Sequence, residues 1–486
     1  MPNAAPHTEG FPHPVAFPLN VPLPNPPADP QTVSEPARQV PVIAEVDVAV
    51  LGGGSAGVCA AVAAARMGKS VLLVERDDCL GGMATSAWVN IWHSLYGTDG
   101  STQIIDGLIG EAIARIESRG AATTRLPRGR NGEWVFCAET VKFVFDDMAV
   151  GSGVQLMFGA RLAGALTDAG RIAAALVETK AGRRAIRATT FIDCTGDADL
   201  VRFAGGQTTL GDGNGRCQAP TQVFRVRGGS DSKIDLSDLQ QHLFSEPMDY
   251  NGQQYSCFTW GTRGVWADDE QMLAGTRVLG VNAAEPNELT RAIVEARYQV
   301  RWVMRKMREL PRWAQIHLLD VAARLGIRET HRIAARHELT RMEVLTGVKP
   351  DDAVCQGTYR IDIHSPDSPG IRFEYLNGKV VEVDGQTNKA YSRWDGQGDD
   401  APNRDTLCYF VPYRSLIPAD FQNVLVAGRC IGADHAAAGA IRVMVNCMQA
   451  GQAAGTAAAL SDDGQVDQVD PATLRDALKA ADVPLL

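Results

Sequence analysis

Short apolar runs and an alanine-rich stretch alternate over residues 46–75. Residues 46–51 are rich in β-branched side chains and end at a glycine, which predicts a strand buried on both faces. Residues 55–67 are rich in alanine and predict a helix, and Gly68 occupies the position that commonly ends one. Residues 70–75 predict a second buried strand. Together the three elements predict a βαβ unit of minimal length.

The same patterns continue along the chain and return near its end. Helices are predicted over 104–119 and 139–150, and strands over 154–158, 172–179 and 185–193. A region of different character follows, in which strands mix with long helices such as 287–310. Buried-strand character returns from residue 407, with a strand over 423–428 and one long apolar helix over 436–460. The beginning and the end of this pattern are therefore similar, and the middle differs.

The composition is that of an ordinary folded protein. The 486 residues include 47 Lys and Arg against 57 Asp and Glu, a net charge of −10, so we expect no nucleic-acid partner. The ten cysteines contain no C-x-x-C pair, and we predict reduced thiols and no metal site. No apolar run reaches the roughly 18 residues of a membrane helix, and the proline-broken N-terminal residues without Lys or Arg before Arg38 lead us to expect no secretory signal. We therefore expect a cytoplasmic protein without a membrane partner.

Residues 1–41 form a proline-rich arm. They hold twelve of the 25 prolines, which fix the backbone and remove hydrogen-bond donors. The arm is therefore predicted to be extended or irregular. Two interpretations stay open: a free tail, or a segment that lies along its own or a neighbouring subunit. The second interpretation would make the protein a homo-oligomer.

The strongest motif follows the first predicted strand. Gly52, Gly54 and Gly57 fit G-x-G-x-x-G, in which the glycines allow a tight turn, close approach of a pyrophosphate and close helix packing. The helix that begins there offers free N–H groups to phosphates. Glu75 ends the next strand 18 residues after Gly57, where an acid that binds ribose is expected. The motif predicts a dinucleotide site but leaves FAD and NAD open.

Further blocks make the prediction more specific. Residues 80–85 read LGGMAT, 427–431 read AGRCI, 442–444 read RVM and 451–455 read GQAAG. With IDCTGD at 192–197 and GIRET at 326–330, the chain resembles the FAD-dependent oxidoreductases of the glutathione-reductase and succinate-dehydrogenase (GR2) type. The resemblance covers roughly 42–230 and 405–461. It implies a Rossmann-like α/β fold whose FAD domain is discontinuous, with an inserted α+β substrate or cap domain.

The resemblance implies these boundaries: a proline-rich arm (1–41), the first segment of the FAD domain (42–215), the cap (216–405), the second segment of the FAD domain (406–462) and a C-terminal tail (463–486). It also implies noncovalent FAD, held in an extended conformation. The implied FAD-binding residues are Gly52, Gly54, Ser55, Ala56, Gly57, Glu75, Arg76, Gly81, Gly82, Met83, Ala84, Arg161, Leu162, Thr195, Gly196, Asp197, Gly428, Arg429, Val443 and Met444. A helix that begins near 441–443 would direct its positive end at the flavin.

Candidate catalytic residues cluster in the later blocks. A flavin dehydrogenase needs a base near the carbon that loses hydride and donors that hold the substrate. His435 precedes the last helix and resembles a family histidine, although it could simply cap the loop. The other candidates are Arg442, Arg414, Tyr413 and Arg328, each with an alternative role in a structural ion pair or loop anchor. Tyr359 and His364 are weaker candidates.

We predict an FAD-dependent dehydrogenase or oxidase. It would remove a hydride from an alcohol or amine carbon of a small-to-medium polar substrate, and oxygen or another electron acceptor would reoxidise the flavin. No second dinucleotide motif for NAD(P)H is found. Reduction of a C=C bond, or hydroxylation, fed by a separate reductase stays an alternative. So does a flavin-binding structural or regulatory protein, and an NAD-binding protein.

Overall fold

The computed structural model describes most of the chain after the arm. The described residues are 21–24, 32–120, 124–126, 133–228, 236–250, 253–255, 259–265, 267, 269–385, 387, 389–394 and 406–486. Their helices are α1 (Ser55–Arg66), α2 (Leu108–Ser118), α3 (Ala138–Gly151), α4 (Asp199–Phe203), α5 (Ser237–Ser245), α6 (Pro286–Arg308), α7 (Arg341–Thr346), α8 (His435–Ile441), α9 (Met444–Leu460) and α10 (Pro471–Ala480).

The strands of the first half are β1 (Val42–Leu51), β2 (Val71–Val74), β3 (Ile91–His93), β4 (Thr124–Leu126), β5 (Glu133–Val135), β6 (Gln155–Met157), β7 (Arg161–Asp168), β8 (Arg171–Thr179), β9 (Gly182–Asp193), β10 (Thr208–Leu210) and β11 (Val223–Arg227). Those of the second half are β12 (Met248–Tyr250), β13 (Gln253–Tyr255), β14 (Trp260–Arg263), β15 (Glu270–Ala274), β16 (His317–Val321), β17 (His331–Ile333), β18 (Ala353–Gly357), β19 (Ile361–His364), β20 (Ile371–Glu374), β21 (Lys379–Val383), β22 (Ala390–Trp394), β23 (Tyr409–Pro412) and β24 (Val424–Val426).

A seven-stranded sheet organises the molecule. Its order is β6-β2-β1-β9-β8-β7, and β24 pairs with the end of β9. Strands β6, β2, β1, β9 and β24 run parallel, whereas β8 and β7 continue the sheet antiparallel. Leu51 aligns with Val74 and with Asp193, and Asp193 aligns with Val426. Four parallel strands therefore end at one edge, where α/β sheets bind their ligands.

Helices α1 and α9 pack directly on each other. A side chain on Gly451 would lie 2.1 Å from the Ala56 oxygen, and one on Gly455 would lie 2.1 Å from the Ala60 oxygen. Both contacts advance by four residues, so the helices run in the same direction. Because α9 extends six residues further toward its N-terminus, it begins about 9 Å beyond the start of α1. The N-termini of α1 and α9 therefore point the same way, and they are offset from each other along the helix direction.

The middle of the chain forms a second layer with its own sheet. Strands β14-β15-β11-β16 form an antiparallel sheet, and Phe224, Leu273 and Val303 bury a separate core between this sheet, α5 and α6. Strands β18 and β23 pair, and Val354 packs into the core of the first sheet. The mixed α/β class with a parallel sheet is confirmed. The domain boundaries at 215 and 405 stay predictions.

Two helix predictions need correction. The single helix predicted over 436–460 is wrong, because the chain forms α8, breaks at Arg442 and Val443, and resumes as α9. Arg442 still has helical angles (φ −73°, ψ −10°), whereas Val443 (φ −66°, ψ 146°) is extended and ends the helical path. The Arg442 side chain donates a hydrogen bond to the Asp362 carbonyl at 3.0 Å. The helix predicted from residue 104 begins only at Leu108, because Gly107 adopts a φ of 71° before it.

The two ends of the chain fit the predictions incompletely. Residues 1–20 and 25–31 of the predicted arm lie outside the described residues, and residues 32–40 form no helix or strand. The segment 463–486, predicted as a tail, contains α10, which Asp470 caps through the Thr473 N–H. Within the described ranges, no helix has both the length and the apolar character that crossing a membrane requires.

Candidate active site

The carboxyl edge of the main sheet gathers the predicted cofactor residues. The glycine turn 52–54 follows β1, and Glu75 follows β2. The segment 194–197 follows β9, and Gly428 and Arg429 follow β24. The structure thus brings together, at one edge, residues that are up to 377 positions apart in the sequence.

The glycine turn is built for close approach. Gly52 has a φ of 103°, and a side chain there would lie 2.4 Å from the Cys194 carbonyl oxygen. One on Gly57 would lie 1.8 Å from the Gly52 oxygen. Gly54 differs, because a side chain there would meet no protein atom within 4 Å. The turn is therefore tight toward the protein and open at Gly54, beside the first N–H groups of Ser55 and Ala56 in α1.

Glu75 braces this turn. Its Oε2 accepts the Gly53 N–H at 2.6 Å, and its Oε1 accepts the Asp77 N–H at 2.8 Å. Burial raises the pKa of Glu75, and these backbone donors oppose the effect. Arg76 beside it is exposed. The carboxylate sits at the end of β2, where the dinucleotide motif predicts an acid that binds ribose.

The Gly81-Gly82 pair packs on the glycine turn. The Gly81 N–H donates to the Gly53 oxygen at 2.8 Å, and the Ser55 hydroxyl donates to the Gly81 oxygen at 3.2 Å. Both glycines have positive φ, and a side chain on Gly82 would lie 3.0 Å from the Gly54 Cα. Met83 is half-buried and Ala84 is buried behind them.

Residues 160–162 adjoin the other side of Glu75. The Ala160 N–H donates to the Glu75 carbonyl at 3.1 Å, which places exposed Arg161 and buried Leu162 near the end of β2. This neighbourhood agrees with the position that the resemblance implies for them.

Asp197 and Arg429 form a buried ion pair across two of the turns. Arg429 Nη2 donates to Asp197 Oδ1 at 2.5 Å, and the Thr330 hydroxyl donates to the same oxygen at 2.5 Å. Burial alone would raise the pKa of Asp197, but Arg429, the Thr330 hydroxyl and the charge of Arg76 together lower it. The pair ties the segment after β9 to the segment after β24. Gly196 (φ 79°) and Gly428 (φ 102°) bend these two segments, and the Thr195 hydroxyl donates to Asp193.

The break between α8 and α9 places a helix N-terminus beside a buried ionisable cluster. Val443 is extended and Met444 begins α9. Arg442 Nη2 also lies 3.4 Å from Asp362 Oδ2, and the Arg442 Nε is buried without a hydrogen-bond partner among the described residues. Strand β19 approaches α8 closely, since a side chain on Gly439 would lie 2.9 Å from the Asp362 oxygen.

Asp362 organises three side chains in this cluster. The Tyr359 hydroxyl donates to Asp362 Oδ2 at 2.9 Å, and His364 Nε2 lies 3.1 Å from Asp362 Oδ1. Asp362 and His364 share a face of β19 because side chains two residues apart point the same way. His364 Nδ1 is buried and has no hydrogen-bond partner among the described residues. The side chain of His93 stacks edge-on against Tyr359 at 4.7 Å.

Burial and neighbouring charges shift the pKa values of His364 and Asp362 in this cluster. Burial lowers the pKa of His364 well below its usual range, and the charges of Arg328 and Arg277 act in the same direction. Burial raises the pKa of Asp362, but His364 and Arg442 outweigh it and hold that pKa well below its usual value. The pair therefore consists of an ionised Asp362 and a neutral imidazole. Among the described residues, neither His364 Nδ1 nor Asp362 Oδ1 has a partner that meets hydrogen-bond geometry.

Two other predicted catalytic residues, Arg328 and His435, have different hydrogen-bond partners. Arg328 donates to the Ala219 carbonyl at 2.6 Å and to the Thr221 hydroxyl at 2.7 Å. His435 begins α8, and its Nδ1 lies 2.9 Å from Glu329 Oε1. Since Glu329 also pairs with buried Arg332, His435 belongs to an ion-pair network.

Tyr413 and Arg414 have partners elsewhere. The buried Tyr413 hydroxyl donates to the Val466 carbonyl at 2.7 Å. Arg414 pairs with Asp352 through Nε at 2.9 Å and Nη2 at 3.2 Å, and half of its side chain is exposed. Neither shares a contact with the cluster around Asp362 in the described residues, so a catalytic role for them stays a prediction without geometric support.

The sequence analysis does not name Asp362 or Arg277, which the structure places in this cluster, and it ranks His364 as a weaker candidate. A usable signal was present, because Arg360, Asp362 and His364 alternate along one strand and would share one face. Arg277 offered no such pattern. Its place in the cluster depends on long-range folding alone. No group of three His, Cys, Asp or Glu side chains suited to a metal ion occurs among the described residues.

The fold and the glycine turn define an α/β dinucleotide-binding protein, and the space at Gly54 and the free helix N-termini fit a bound FAD. The model of the family described as FAD dependent oxidoreductase matches residues 47–478, so the chain belongs to that family. The protein is therefore an FAD-dependent oxidoreductase. No curated protein matches the chain.

The solved structures found to be similar have low sequence identity and TM-scores below 0.5. A geranylgeranyl bacteriochlorophyll reductase-like protein from Thermoplasma acidophilum is 13% identical, with 90% of this chain and 83% of that chain covered and a TM-score of 0.43. The flavin-dependent brominase Bmp2 is 12% identical with the same coverages and TM-score. The aromatic hydroxylase CabE is 13% identical, with 60% and 54% covered and a TM-score of 0.38. Likeness at this level does not define the reaction.

Proposed function

We propose that the protein is a dehydrogenase or oxidase that removes a hydride from an alcohol or amine carbon, with His364 as the base. The observation that carries this proposal is the buried His364–Asp362 pair, in which Nδ1 has no partner among the described residues. An imidazole held on one nitrogen by a carboxylate offers the other nitrogen as a proton acceptor. The GR2 type and the noncovalent binding of FAD belong to the same proposal.

The position of the pair supports this role. Arg442 joins Asp362 to the N-terminus of α9, which lies about 9 Å beyond the start of α1 along their shared direction. FAD, when bound, supplies a two-electron acceptor. In an extended cofactor, the pyrophosphate end would meet α1 and the ring end would approach α9. The positive end of α9 would then stabilise negative charge that builds up on reduction.

Each residue of the pair has a distinct task. His364 Nδ1 takes the proton from the substrate hydroxyl or amine while the hydride leaves the same carbon. Asp362 Oδ1, 3.1 Å from His364 Nε2, would favour the imidazole proton on that nitrogen and would stabilise the positive charge that His364 gains. Tyr359 fixes Asp362 through its hydroxyl. Thus the chain supplies the base, its orientation and the electrostatic stabilisation.

The test is anaerobic reduction of the bound flavin by pooled alcohols, sugars, hydroxy acids and amines. We expect one pool to bleach the absorbance near 450 nm, and His364→Gln to slow bleaching by roughly 10² to 10⁴-fold at unchanged FAD content. His317→Gln is the matched control, because His317 is exposed on β16. If dithionite reduces the flavin but no pool does, the protein is instead a reductase or hydroxylase fed by a partner, or a flavin protein without turnover.

A further inference from the structure

Four arginine side chains converge on the proposed base from separate segments of the chain. Arg277 follows β15, Arg328 precedes β17, Arg360 precedes β19, and Arg442 lies between α8 and α9. The charges of Arg277 and Arg442 lower the pKa of Arg328, after burial itself. The Thr221 hydroxyl connects two of them, because it accepts from Arg328 at 2.7 Å and donates to the carbonyl of Thr276, the neighbour of Arg277, at 2.9 Å. Nothing in the sequence places these segments together.

The cluster has too little negative charge to balance them. Asp362 pairs with Arg442, and Arg360 lies over three aromatic rings, Tyr359, Phe373 and Tyr375. In the portion of the chain that the structure describes, no carboxylate lies at ion-pair distance from Arg277 or Arg328. Burying a guanidinium without an anion is costly, and arginines at such sites commonly bind anionic ligands.

Arg277 and Arg328 are held in place by neutral groups. The Arg277 side chain belongs to a residue that is only 2% exposed, its Nε has no hydrogen-bond partner among the described residues, and its backbone is bonded on both sides to Gln299. Arg328 is fixed through one amino group by the oxygens of Ala219 and Thr221, and its side chain remains partly accessible. Fixed, uncompensated guanidinium groups are the donors that bind a carboxylate.

Resting on the function proposed above, we infer that the substrate is a small organic acid with a hydroxyl or amine on the carbon next to its carboxylate. The carboxylate binds Arg277 and Arg328, and the oxidised carbon lies at His364. Hydrogen bonds link the three groups: Thr221, which holds Arg328, also donates to the Thr276 carbonyl next to Arg277 at 2.9 Å, and Gln218, next to Ala219, accepts the His364 backbone N–H at 3.3 Å. The anion and the reacting carbon would therefore be neighbours. With a 2-hydroxy acid, the hydroxyl proton passes to His364 Nδ1, and the hydride leaves the carbon with its electron pair for the flavin. The product is a 2-oxo acid and the flavin is reduced.

The first experiment measures binding without turnover. Holoenzyme is titrated with malonate, which has no hydroxyl to oxidise, and the visible spectrum of the flavin is followed at constant ionic strength. We expect saturable binding, at least a 10-fold higher Kd in Arg277→Met and Arg328→Met, and near-normal binding in the charge-preserving Arg277→Lys. Arg187→Met is the control, because the Arg187 side chain is exposed and pairs with exposed Glu45. FAD content and circular dichroism check that each variant is folded.

The second experiment measures reduction. Lactate, glycolate and malate are compared with 1,2-propanediol, which lacks the carboxylate, and with glycerol 3-phosphate. We expect a 2-hydroxy acid to reduce the flavin, malonate to compete, and the arginine variants to raise KM more than they lower kcat.

The outcomes separate the two proposals. Reduction by the neutral diol or a sugar, without malonate binding, overturns the organic-acid inference and leaves the dehydrogenase intact. Arginine-dependent malonate binding without reduction by any donor supports the anion site and counts against the dehydrogenase. Binding or reduction by the phosphate ester alone overturns the carboxylate assignment.

Discussion

Replacing Gly54 by alanine should weaken FAD binding while leaving the stability of the FAD-free protein nearly unchanged. A methyl group there meets no protein atom within 4 Å, and the backbone has φ −66° and ψ −177°, which alanine adopts without strain. The loss of glycine as a helix cap and the reduced freedom of the unfolded chain oppose each other, each by about 1 kcal/mol or less. We therefore expect the FAD-free variant to unfold within about 1 kcal/mol of wild type.

The same methyl group enters the space beside the free N–H groups of α1. Loss of one or two charge-assisted hydrogen bonds to a phosphate, at about 1.5 to 3 kcal/mol each, would weaken binding by roughly 3 kcal/mol. That corresponds to an increase of about 100-fold in the Kd for FAD. The assay is quenching of FAD fluorescence on titration with FAD-free protein, with urea unfolding of the same preparations, because bound FAD would itself add stability.

Two other glycine-to-alanine variants serve as controls for Gly54→Ala. Gly57→Ala would place its methyl group 1.8 Å from the Gly52 oxygen, so it should lose both stability and FAD binding. Gly151→Ala lies at the end of α3 with no atom within 4 Å, so it should keep both. Wild-type FAD affinity in Gly54→Ala would refute the assignment of this space to the cofactor. So would a loss of more than about 2 kcal/mol of apoprotein stability, since such a loss is typical of overpacking.

Three further predictions concern stability. Gly451→Ala would force its methyl group to 2.1 Å from the Ala56 oxygen and should lower the free energy of unfolding by about 3 kcal/mol, measured by urea denaturation; an unchanged midpoint would contradict the α1–α9 packing. Burial raises the pKa of Asp193 to about 6. The folded state then holds its proton more tightly than the unfolded state, so its contribution to stability is greatest below pH 4 and is lost as the pH rises through 6. Relative to Asp193→Asn, wild type should lose about 3 kcal/mol between pH 4 and 7, and parallel pH curves would exclude this shift. Tyr413→Phe removes the hydrogen bond to the Val466 carbonyl and should cost about 1 to 3 kcal/mol with flavin reduction unchanged, whereas slower reduction would restore Tyr413 as a catalytic candidate.

Local signals were sufficient to predict the strands and the helix around the glycine turn. The strand before Gly52 and the helix after it depend on short-range patterns, and their boundaries agree with β1 and α1 to within a few residues. Glu75 could be found because the distance from the glycine turn is set by one helix and one strand. The helix α10 was also within reach, since Asp470 and Pro471 form a common helix start, but that signal was not used.

Local signals could not show that the residues of the proposed substrate site lie together. Arg277, Arg328 and Asp362 come from three segments whose approach depends on strand pairing and on the packing of α8 against β19. Arg328 could be named from the GIRET block, but Arg277 has an ordinary local sequence, and a charged residue in isolation predicts a solvated surface. His435 attracted attention because of its place in a motif, yet its nearest acid, Glu329, already neutralises Arg332.

The broken helix shows how a tertiary contact can override a strong local pattern and create the proposed site. Residues 436–460 contain no proline and favour one continuous helix. A continuous helix would have bonded the N–H groups of Met444, Val445 and Asn446 to the preceding turn. The break instead begins a new helix, whose first internal hydrogen bond runs from Cys447 to the Val443 oxygen at 3.0 Å. The preceding donors, and the positive end of α9, are thereby released beside Arg442. The deviation from helical propensity and the electrostatics proposed for the flavin therefore have one structural origin.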